Sequence, residues 1–353
     1  MYGTDPKYIP LANNPVILKT AYQTPNLYDI LQVRPNAQPE VITAAGRALL
    51  QIHHPDKGGD ADLAAKINEA REVLLDPSKR RAYDKSLDAR VGDTIGSYRL
   101  VRKMSEGGFG EVYEAVHDVI GERVCIKMNL DVSPLHTDLF IKEARAIWDL
   151  RHHALPAVRD FYKLDNGKWA LVMSYIPGPT LLQVIEKYQN KNEQMDPENA
   201  CWMMERVLDG LRYMHYHGVV HGDVKPQNII IQPDEHTCAL VDFGLASVRP
   251  TSNSQADGYT EIFASPESLR GGPLLPESDL YSLGLTMIYA LGGDPRGKRL
   301  PKATNPLVRD FVSDLVIVDV NRRPHWENTD LVYKLREIRQ KAFGRVHTNY
   351  KKL

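Results

Sequence analysis

Two short polar loops hold the residues whose chemistry is most specific. Residues 221–228 read HGDVKPQN, and residues 241–244 read VDFG. A carboxylate such as Asp223 can act as the base for an acceptor hydroxyl, and Lys225 can neutralise charge on a transferred phosphoryl group. The amide oxygen of Asn228 and the carboxylate of Asp242 are hard oxygen donors, which suit magnesium. The two loops together therefore predict phosphoryl transfer.

Apolar runs on either side of these loops predict the elements that position them. Val219-Val220 precedes the first loop, 229–231 is a run of three isoleucines, and 238–241 leads into the second loop. Short runs rich in β-branched residues with polar tips are typical of strands that present charged groups at their ends. We therefore expect both loops to lie at strand ends.

The composition limits the classes of function. The chain has 353 residues, 42% of them hydrophobic, and its 44 basic residues balance 45 acidic ones. This balance leaves no global basic field and predicts no nucleic-acid partner. Cys125, Cys201 and Cys238 are odd in number and lie in apolar contexts, which predicts buried, reduced thiols and a cytoplasmic location. No apolar run approaches the roughly 20 residues of a membrane helix, so we expect no membrane association.

The order of elements predicts an α+β architecture without internal repeats. Residues 1–25 are proline-rich, lack a signal pattern and predict an irregular leader. Residues 26–86 form a helix-rich block, and 87–95 form a linker. From 96 to 345 the pattern predicts strands near 98–101, 111–116, 124–127 and 169–175, a helix around 137–151, and mostly helices from about 196.

These features resemble a protein kinase, with a sheet-rich small lobe followed by a helical large lobe. The two polar loops are similar to the kinase catalytic loop and DFG motif. Residues 105–113, SEGGFGEVY, resemble the glycine-rich loop that covers the phosphates of ATP. The resemblance assigns nucleotide binding to residues there, with serine in place of the first glycine: Ser105, Gly107, Gly108, Gly110 and Val112. A glycine-rich turn taken alone is more often a simple hairpin.

A lysine and a glutamate complete the expected phosphate site. Lys127 ends an alternating strand, and the resemblance implies that it contacts the phosphates and pairs with a helix glutamate. Glu143 is the candidate, because Ile147 and Leu150 follow at i+4 and i+7 and place it on the packed face of its helix. The alternative is an exposed lysine on a strand. In the same way, residues 171–178 resemble the hinge that binds adenine, with Met173 at the back of the pocket and Ser174, Tyr175 and Ile176 beside it.

The resemblance to kinases implies that Asp223 is the catalytic base and that Asn228 and Asp242 hold Mg²⁺. Lys225 resembles the lysine that serine/threonine kinases have at this position of the loop. The family usually has arginine at the position that Gly222 occupies in this chain. In the family, that arginine often pairs with a phosphorylated activation loop. We therefore expect this chain not to need activation-loop phosphorylation by that route. A zinc site formed by the nearby histidines is an alternative, although no cysteine or carboxylate set completes it: His215, His217 and His221.

Further residues resemble supports of the large lobe. Ser265-Pro266-Glu267 is similar to the triplet that closes the activation segment, with Arg323 as the buried partner of the glutamate. Asp279 is expected to cap backbone amides of the catalytic loop, and Thr260 to contact the catalytic aspartate and lysine.

The block at 26–86 resembles a J domain. Its two main helices carry facing apolar stripes, with Ile42, Leu49 and Ile52 on the first and 67–74 on the second. Between them, His54, Pro55 and Asp56 match the signature loop that engages seventy-kilodalton heat-shock chaperones in that family. However, residues 39–53 carry only Arg47 and Glu40 as formal charges, so the basic patch that would steer toward an acidic chaperone is thin.

The sequence thus predicts a serine/threonine kinase that uses ATP and Mg²⁺ on protein substrates, with a J domain for chaperone engagement or for docking and regulation. The alternative is a pseudokinase scaffold or a co-chaperone adaptor without phosphotransfer. All the positions that handle phosphate and metal carry competent residues, which favours the enzyme.

Overall fold

The computed structural model describes residues 26–54, 58–108, 110–250, 258 and 260–344. The predicted leader at 1–25 lies outside the described residues. The chain divides between Asp88 and Ala89 into two compact units, which are described separately below.

The first unit is helical and has its own core. Its helices are α1 (Leu27–Ile30), α2 (Pro39–His53), α3 (Ala61–Leu75) and α4 (Pro77–Ser86). Pro39 and Pro77 occupy the first turns of their helices, where the missing N–H costs nothing. Asp60 and Asp76 cap α3 and α4 by accepting backbone N–H groups. The core residues come from three of the helices and the turn after α1: Tyr28, Leu31, Ile42, Leu49, Ile67, Ala70 and Leu74.

The predicted apolar stripe on α2 is wrong at one position. Ile42 and Leu49 are buried, whereas Ile52 is 67% exposed. Ten residues at 100° each place Ile52 about 80° away from Ile42 around the helix, so it leaves the packed face. Gly46 takes the buried place instead, and a Cβ there would lie 2.3 Å from Cδ of Arg71 on α3. The glycine therefore lets the arginine stem cross α2.

Hydrogen bonds tie α4 to α1 and the turn that follows it. The buried Tyr28 hydroxyl donates to Asp84 at 2.6 Å, and the Arg80 guanidinium donates to the carbonyls of Pro35 and Ala37 at 2.8 and 2.9 Å. Burial, with the Asp84 bond adding to it, raises the pKa of Tyr28 to about 12. The phenol is therefore neutral at physiological pH and acts as a donor.

The second unit begins with a six-stranded antiparallel sheet in the order β1-β2-β3-β4-β6-β5. The strands are β1 (Thr94–Ile95), β2 (Tyr98–Gly107), β3 (Gly110–His117), β4 (Arg123–Met128), β5 (Val158–Lys163) and β6 (Trp169–Ser174). Helix α5 (Pro134–Ile147) packs on it. Within the segment predicted as a linker, β1 pairs with β2, and the Gly92 N–H donates to the Leu100 carbonyl at 2.8 Å.

Two features of this lobe differ from the sequence prediction. Helix α5 starts three residues earlier than predicted, because Ser133 caps it and Pro134 occupies its first turn, and it ends at Ile147. Strand β5 was not predicted, because its alternation of Arg159, Asp160 and Lys163 with apolar residues is weak, and its partner β6 supplies the pairing.

The rest of the second unit is mainly helical. Its helices are α6 (Leu181–Asn190), α7 (Pro197–Tyr216), α8 (Pro266–Leu269), α9 (Pro276–Ala290), α10 (Pro306–Leu315) and α11 (Leu331–Phe343). Four short strands form two antiparallel two-stranded sheets: β7 (Val219–Val220) with β10 (Ser247–Val248), and β8 (Ile229–Gln232) with β9 (Thr237–Leu240). Both polar loops of the sequence lie at the ends of these strands, as predicted.

A buried ionic network joins α7 and α11. Arg339 donates to Glu198 and Glu205, each at 2.6 Å, and all three side chains are at most 1% exposed. Arg336 adds a second, more exposed contact to Glu205 at 2.9 Å. Buried carboxylates of this kind need paired cations, so the network fixes α11 on α7. None of the helices among the described residues combines the length and the apolar composition needed to cross a bilayer.

Candidate active site

The catalytic-loop candidates form a closed hydrogen-bonded set. Asp223 is 5% exposed; its Oδ1 accepts from the Thr260 hydroxyl at 2.7 Å, and its Oδ2 accepts from Lys225 at 2.7 Å. Lys225 also lies 2.9 Å from the Thr260 oxygen. The carboxylate is therefore held in one orientation by a partner on each of its oxygens.

Asn228 lies in a 3-10 turn, Pro226–Asn228, which closes the same loop. Its Nδ2 donates to the carbonyl of Asp223 at 2.9 Å and to Oδ2 of Asp223 at 3.0 Å. Because a carboxylate only accepts, the NH₂ group must face Asp223, and the amide oxygen faces away from it. That oxygen is a donor atom suited to a hard cation.

Lys127, on β4, lies between two carboxylates. Its Nζ is 2.7 Å from Oε1 of Glu143 on α5 and 2.7 Å from Oδ1 of Asp242. Lys127 and Glu143 are 4% and 3% exposed, so Glu143 points inward, in the direction that the sequence indicated. The contact between Lys127 and Asp242 was not predicted; the two residues are 115 positions apart.

The charges of this triad stabilise one another. Burial works against the charge on Lys127, but the two carboxylates outweigh it and raise the pKa of the ammonium above its ordinary value. Burial also opposes ionisation of Asp242, yet Lys127 lowers the pKa of that carboxyl below its usual range. Burial raises the pKa of Glu143, and Lys127 opposes this. Asp242 therefore stays ionised. Its backbone has a φ of +65°, a conformation that Asp tolerates better than most residues.

The backbone of the catalytic loop is held by a buried aspartate on α9. Asp279 accepts the N–H of His221 at 2.7 Å and the N–H of Gly222 at 2.8 Å, which confirms the predicted cap. The same carboxylate lies 2.8 Å from Nε2 of His215. Trp326, which sequence reasoning missed, donates its indole N–H to Nδ1 of His215 at 2.8 Å.

The three neighbouring histidines each have a separate partner. His215 contacts Asp279 and Trp326, His217 donates to the Tyr213 carbonyl, and Nδ1 of His221 accepts the Asp223 N–H at 3.2 Å. They do not converge as a metal-ligating group in the described part of the chain. The zinc alternative therefore has no geometric support.

Gly222 occupies a place where a side chain would collide with its neighbours. Its φ is +81°, and a Cβ would lie 2.5 Å from the Leu245 carbonyl oxygen and 2.7 Å from Cδ2 of Leu274. Both contacts are closer than real Cβ atoms approach. The surroundings are a backbone carbonyl and an apolar side chain, so this position offers no cation to a phosphate.

The glycine-rich hairpin joins β2 and β3. Ser105 pairs with Val112, and Gly107 pairs with Gly110. Added Cβ atoms at Gly107 and Gly108 would meet no described atom within 4 Å, whereas Gly110, at φ +132°, would meet the Met128 carbonyl at 2.1 Å. Gly110 is thus needed for close packing on β4, while Gly107 and Gly108 present bare backbone at the tip. Phe109 lies outside the described residues.

The hinge candidates leave the sheet at the end of β6. Met173 is buried and pairs with Cys125 on β4. The Ser174 N–H donates to the Ala157 carbonyl at 2.8 Å, and the Ser174 hydroxyl accepts the Ala157 N–H at 2.9 Å. Tyr175 and Ile176 follow, half-buried, and the Arg123 guanidinium lies 3.9 Å from the Tyr175 ring centroid.

The activation-segment support has the predicted ion pair. Arg323, 2% exposed, contacts the two carboxylate oxygens of Glu267 at 2.6 and 2.8 Å. Burial works to raise the pKa of Glu267, but the bonds from Arg323 and Ser278 outweigh it and lower the pKa. Strand β10 pairs with β7 directly before the catalytic loop, which places residues 247–248 beside it. The hydroxyl residues before Thr260 in this segment lie outside the described residues: Thr251, Ser252, Ser254 and Tyr259.

In the first unit, His54 is the C-cap residue of α2, and its carbonyl accepts the Gly59 N–H at 3.1 Å. Pro55 and Asp56 of the predicted J motif lie outside the described residues.

A sheet-rich lobe followed by a helical lobe, with a buried Lys–Glu pair and an Asp–Lys–Asn loop, defines a phosphotransferase of the kinase class. The comparisons agree: residues 98–331 match the protein kinase domain, and residues 26–84 match the DnaJ domain. The chain therefore belongs to the protein kinase family and carries an N-terminal J domain. Members of this family in general use ATP and a divalent metal.

Similar curated proteins are bacterial serine/threonine kinases. The chain is 33% identical over 218 residues to serine/threonine-protein kinase PknA of Mycobacterium tuberculosis (strain H37Rv), which covers 59% of this chain and 49% of the relative. It is 32% identical to PknH of Mycobacterium tuberculosis (strain CDC 1551), covering 59% of this chain and 33% of the relative. It is 29% identical to the probable kinase PknB of Lactococcus lactis, covering 56% of this chain and 31% of the relative. The matches thus span at most about half the length of these relatives.

Proposed function

We propose that this chain is an active serine/threonine protein kinase that transfers the γ-phosphate of ATP to protein hydroxyls. The observation that carries the proposal is the triad of Lys127, Glu143 and Asp242. A carboxylate oxygen of each acidic residue lies 2.7 Å from Nζ of the lysine. A scaffold that binds no phosphate has no need to bury an ammonium between two carboxylates, because buried ions cost more than apolar residues of the same volume.

The residues of the catalytic loop have distinct roles in this proposal. Asp223 accepts the proton of the substrate hydroxyl on its carboxylate, and Thr260 and Lys225 hold that carboxylate in place. Lys225 also places a positive charge next to the transferred group. The lysine at this position, together with the printed names of the bacterial relatives, favours serine or threonine as acceptor.

The donor set fits a magnesium ion. The Asn228 amide oxygen is turned away from Asp223, and Asp242 is ionised, so both are hard oxygen ligands. When bound, the metal would offset negative charge on the phosphates. Lys127, held by Glu143, would contact the phosphates, and the bare backbone of Gly107 and Gly108 would lie against them.

We assign the other nucleotide contacts to the hairpin and the hinge. Ser105, Gly110 and Val112 hold the shape of the hairpin, and Met173 closes the back of the adenine site. Ser174 already uses its N–H and hydroxyl on Ala157, so adenine would be recognised by its carbonyl and by the backbone of Tyr175 and Ile176.

The test is transfer of labelled γ-phosphate to a generic basic protein in the presence of magnesium. Asp223→Asn should lose at least about a hundredfold in kcat while nucleotide affinity is kept. Asp234→Asn, in the exposed turn between β8 and β9, is the matched control and should retain wild-type activity. Intact nucleotide binding without transfer in the wild type would support the pseudokinase scaffold instead.

We further propose that the J unit engages a partner, in one of two ways. Stimulation of a seventy-kilodalton heat-shock chaperone is the role that the His54-Pro55-Asp56 motif supports. A docking or regulatory role is favoured by the surface of α2, where Val41 and Ile52 are 51% and 67% exposed and charges are few. Equal chaperone ATPase rates with wild type and with His54→Gln would exclude the first role.

A cytoplasmic location is also part of the proposal. Cys201 and Cys238 are buried free thiols, and Cys125 is free and half-buried. Burial raises the pKa of Cys125 and Cys201 to about 12, so both remain protonated and unreactive. Such thiols are compatible with a reducing compartment.

A further inference from the structure

The loop between α10 and α11 reaches the catalytic loop through one histidine. Trp326 lies in this loop, and its indole nitrogen is 2.8 Å from Nδ1 of His215, in the last turn of α7. The His215 side chain is 2% exposed and Asp279 is 1% exposed, so these contacts are shielded from water. Nothing in the phosphate or metal chemistry described above uses Trp326.

The chemistry of the indole decides which nitrogen of His215 carries the proton. An indole N–H can only donate, so Nδ1 of His215 must present its lone pair to Trp326. The proton of the neutral ring is then on Nε2, which faces Oδ2 of Asp279 at 2.8 Å and donates to it. The opposite tautomer would turn two N–H groups toward each other at one end and a lone pair toward a carboxylate at the other.

Asp279 links His215 to the backbone of the catalytic loop, which carries the proposed base Asp223. Its Oδ2 also accepts the His221 N–H at 2.7 Å, and its Oδ1 accepts the Gly222 N–H at 2.8 Å. Asp223 is the next residue. The bond from His215 therefore sets the rotation of the Asp279 carboxylate, and with it the position of the backbone that carries Asp223.

We propose that Trp326 is a positioning residue for the catalytic loop, acting by fixing the proton of His215 on Nε2. The proposal rests on the proposed kinase activity for its kinetic readout only. The same loop also carries Arg323, which binds Glu267, so one short segment holds both the catalytic loop and the end of the activation segment.

The test compares Trp326→Phe with a matched control, Trp202→Phe. Trp202 is fully buried on α7, and its indole N–H has no hydrogen-bond partner among the described residues, so its replacement removes bulk but no bond. In wild type, ring-¹⁵N histidine spectra of the full chain should show His215 with its proton on Nε2, assigned by loss of the signal in His215→Phe. Trp326→Phe should lose this single-tautomer signature, and Trp202→Phe should keep it.

The kinetic readout should separate positioning from stability. Because a buried acceptor is left without its donor, we expect kcat of Trp326→Phe to fall about tenfold, with KM for ATP changed less than about twofold. Trp202→Phe should leave kcat unchanged even if its unfolding midpoint falls. In a His215→Phe background, Trp326→Phe should cause no further loss, since the two act in series.

A wild-type spectrum with the His215 proton on Nδ1 would overturn the proposal without any activity measurement. So would an unchanged kcat in Trp326→Phe, or additive losses in the double variant. If the wild type transfers no phosphate at all, the proposed function fails, and the spectra still decide the role of Trp326.

Discussion

Gly222 allows a quantitative test of how tightly the catalytic loop is packed. Replacing it by alanine forces a non-glycine residue to φ +81°, which costs about 1–2 kcal/mol. The new Cβ would also lie 2.5 Å from the Leu245 carbonyl, and moving backbone to relieve such a contact costs about 1–3 kcal/mol. Together these effects should lower the free energy of unfolding by about 2–5 kcal/mol.

Gly271→Ala is the matched control, because Gly271 has a similar φ of +70° and a Cβ there would meet nothing within 4 Å. Only the backbone term of about 1–2 kcal/mol should remain. Urea unfolding followed by tryptophan fluorescence is the assay, since all four tryptophans follow Asp88 and report on the second unit alone.

Activity gives a second readout of the same change. Gly222→Ala should also lower kcat, because the contact displaces the backbone beside Asp223, whereas Gly271→Ala should not. Gly222→Arg should be less stable still, and it should gain no dependence on phosphorylation, because Leu274 and a carbonyl surround the site. Equal loss of stability in the two alanine variants would refute the steric part of the reasoning.

Three further outcomes follow from other contacts. Arg339→Met should destabilise the second unit by about 3–5 kcal/mol in urea, since it takes the buried cation away from Glu198 and leaves Glu205 with its contact to Arg336. Arg336→Met, whose side chain is 49% exposed, should cost less than about 1 kcal/mol. Similar losses in the two variants would argue against the buried network. Glu267→Gln should be less stable than wild type at pH 7, because the lowered pKa of Glu267 means that its ionised form stabilises the folded state. The difference in stability should shrink as pH falls below 4.5 and Glu267 becomes protonated in the folded protein. A difference in melting temperature that does not vary with pH would contradict this. Replacing every hydroxyl residue of 251–259 by alanine or phenylalanine, with Thr260 kept, should leave phosphate transfer largely intact; loss of transfer with an intact fold would show that a phosphorylation switch exists after all.

The sequence predicted the reactive residues because their chemistry is local. The spacing of Asp223, Lys225 and Asn228 within one loop, and the periodicity that turns Glu143 inward, are readable without knowing the fold. The contact between Lys127 and Asp242 spans 115 positions and depends on the packing of two lobes, so no local pattern reports it. The same is true of Trp326 and His215, which are 111 positions apart.

One prediction, the apolar stripe of α2, was wrong for an identifiable reason. Ile52 looked like part of the α2 stripe, but helical rotation carries it off the buried face near the helix end. The interpretation of Gly222 as a position that lacks the usual arginine stays a prediction, and the structure adds a positive φ and a close approach to the Leu245 carbonyl that no local pattern reports. The predicted contacts of Thr260 with Asp223 and Lys225 are confirmed.

The ionic contact between α7 and α11 has a consequence for biosynthesis. Glu205 and Arg339 are separated by 134 positions, so the carboxylate leaves the ribosome long before its partner. At about 5–20 residues per second, the delay is about 7–27 s. During that time the large lobe cannot bury α7 without stranding two negative charges, whereas the unit before Ala89, which has its own core, is already complete. We therefore expect the J domain to fold during translation, before α11 has been synthesised and the large lobe can complete its core.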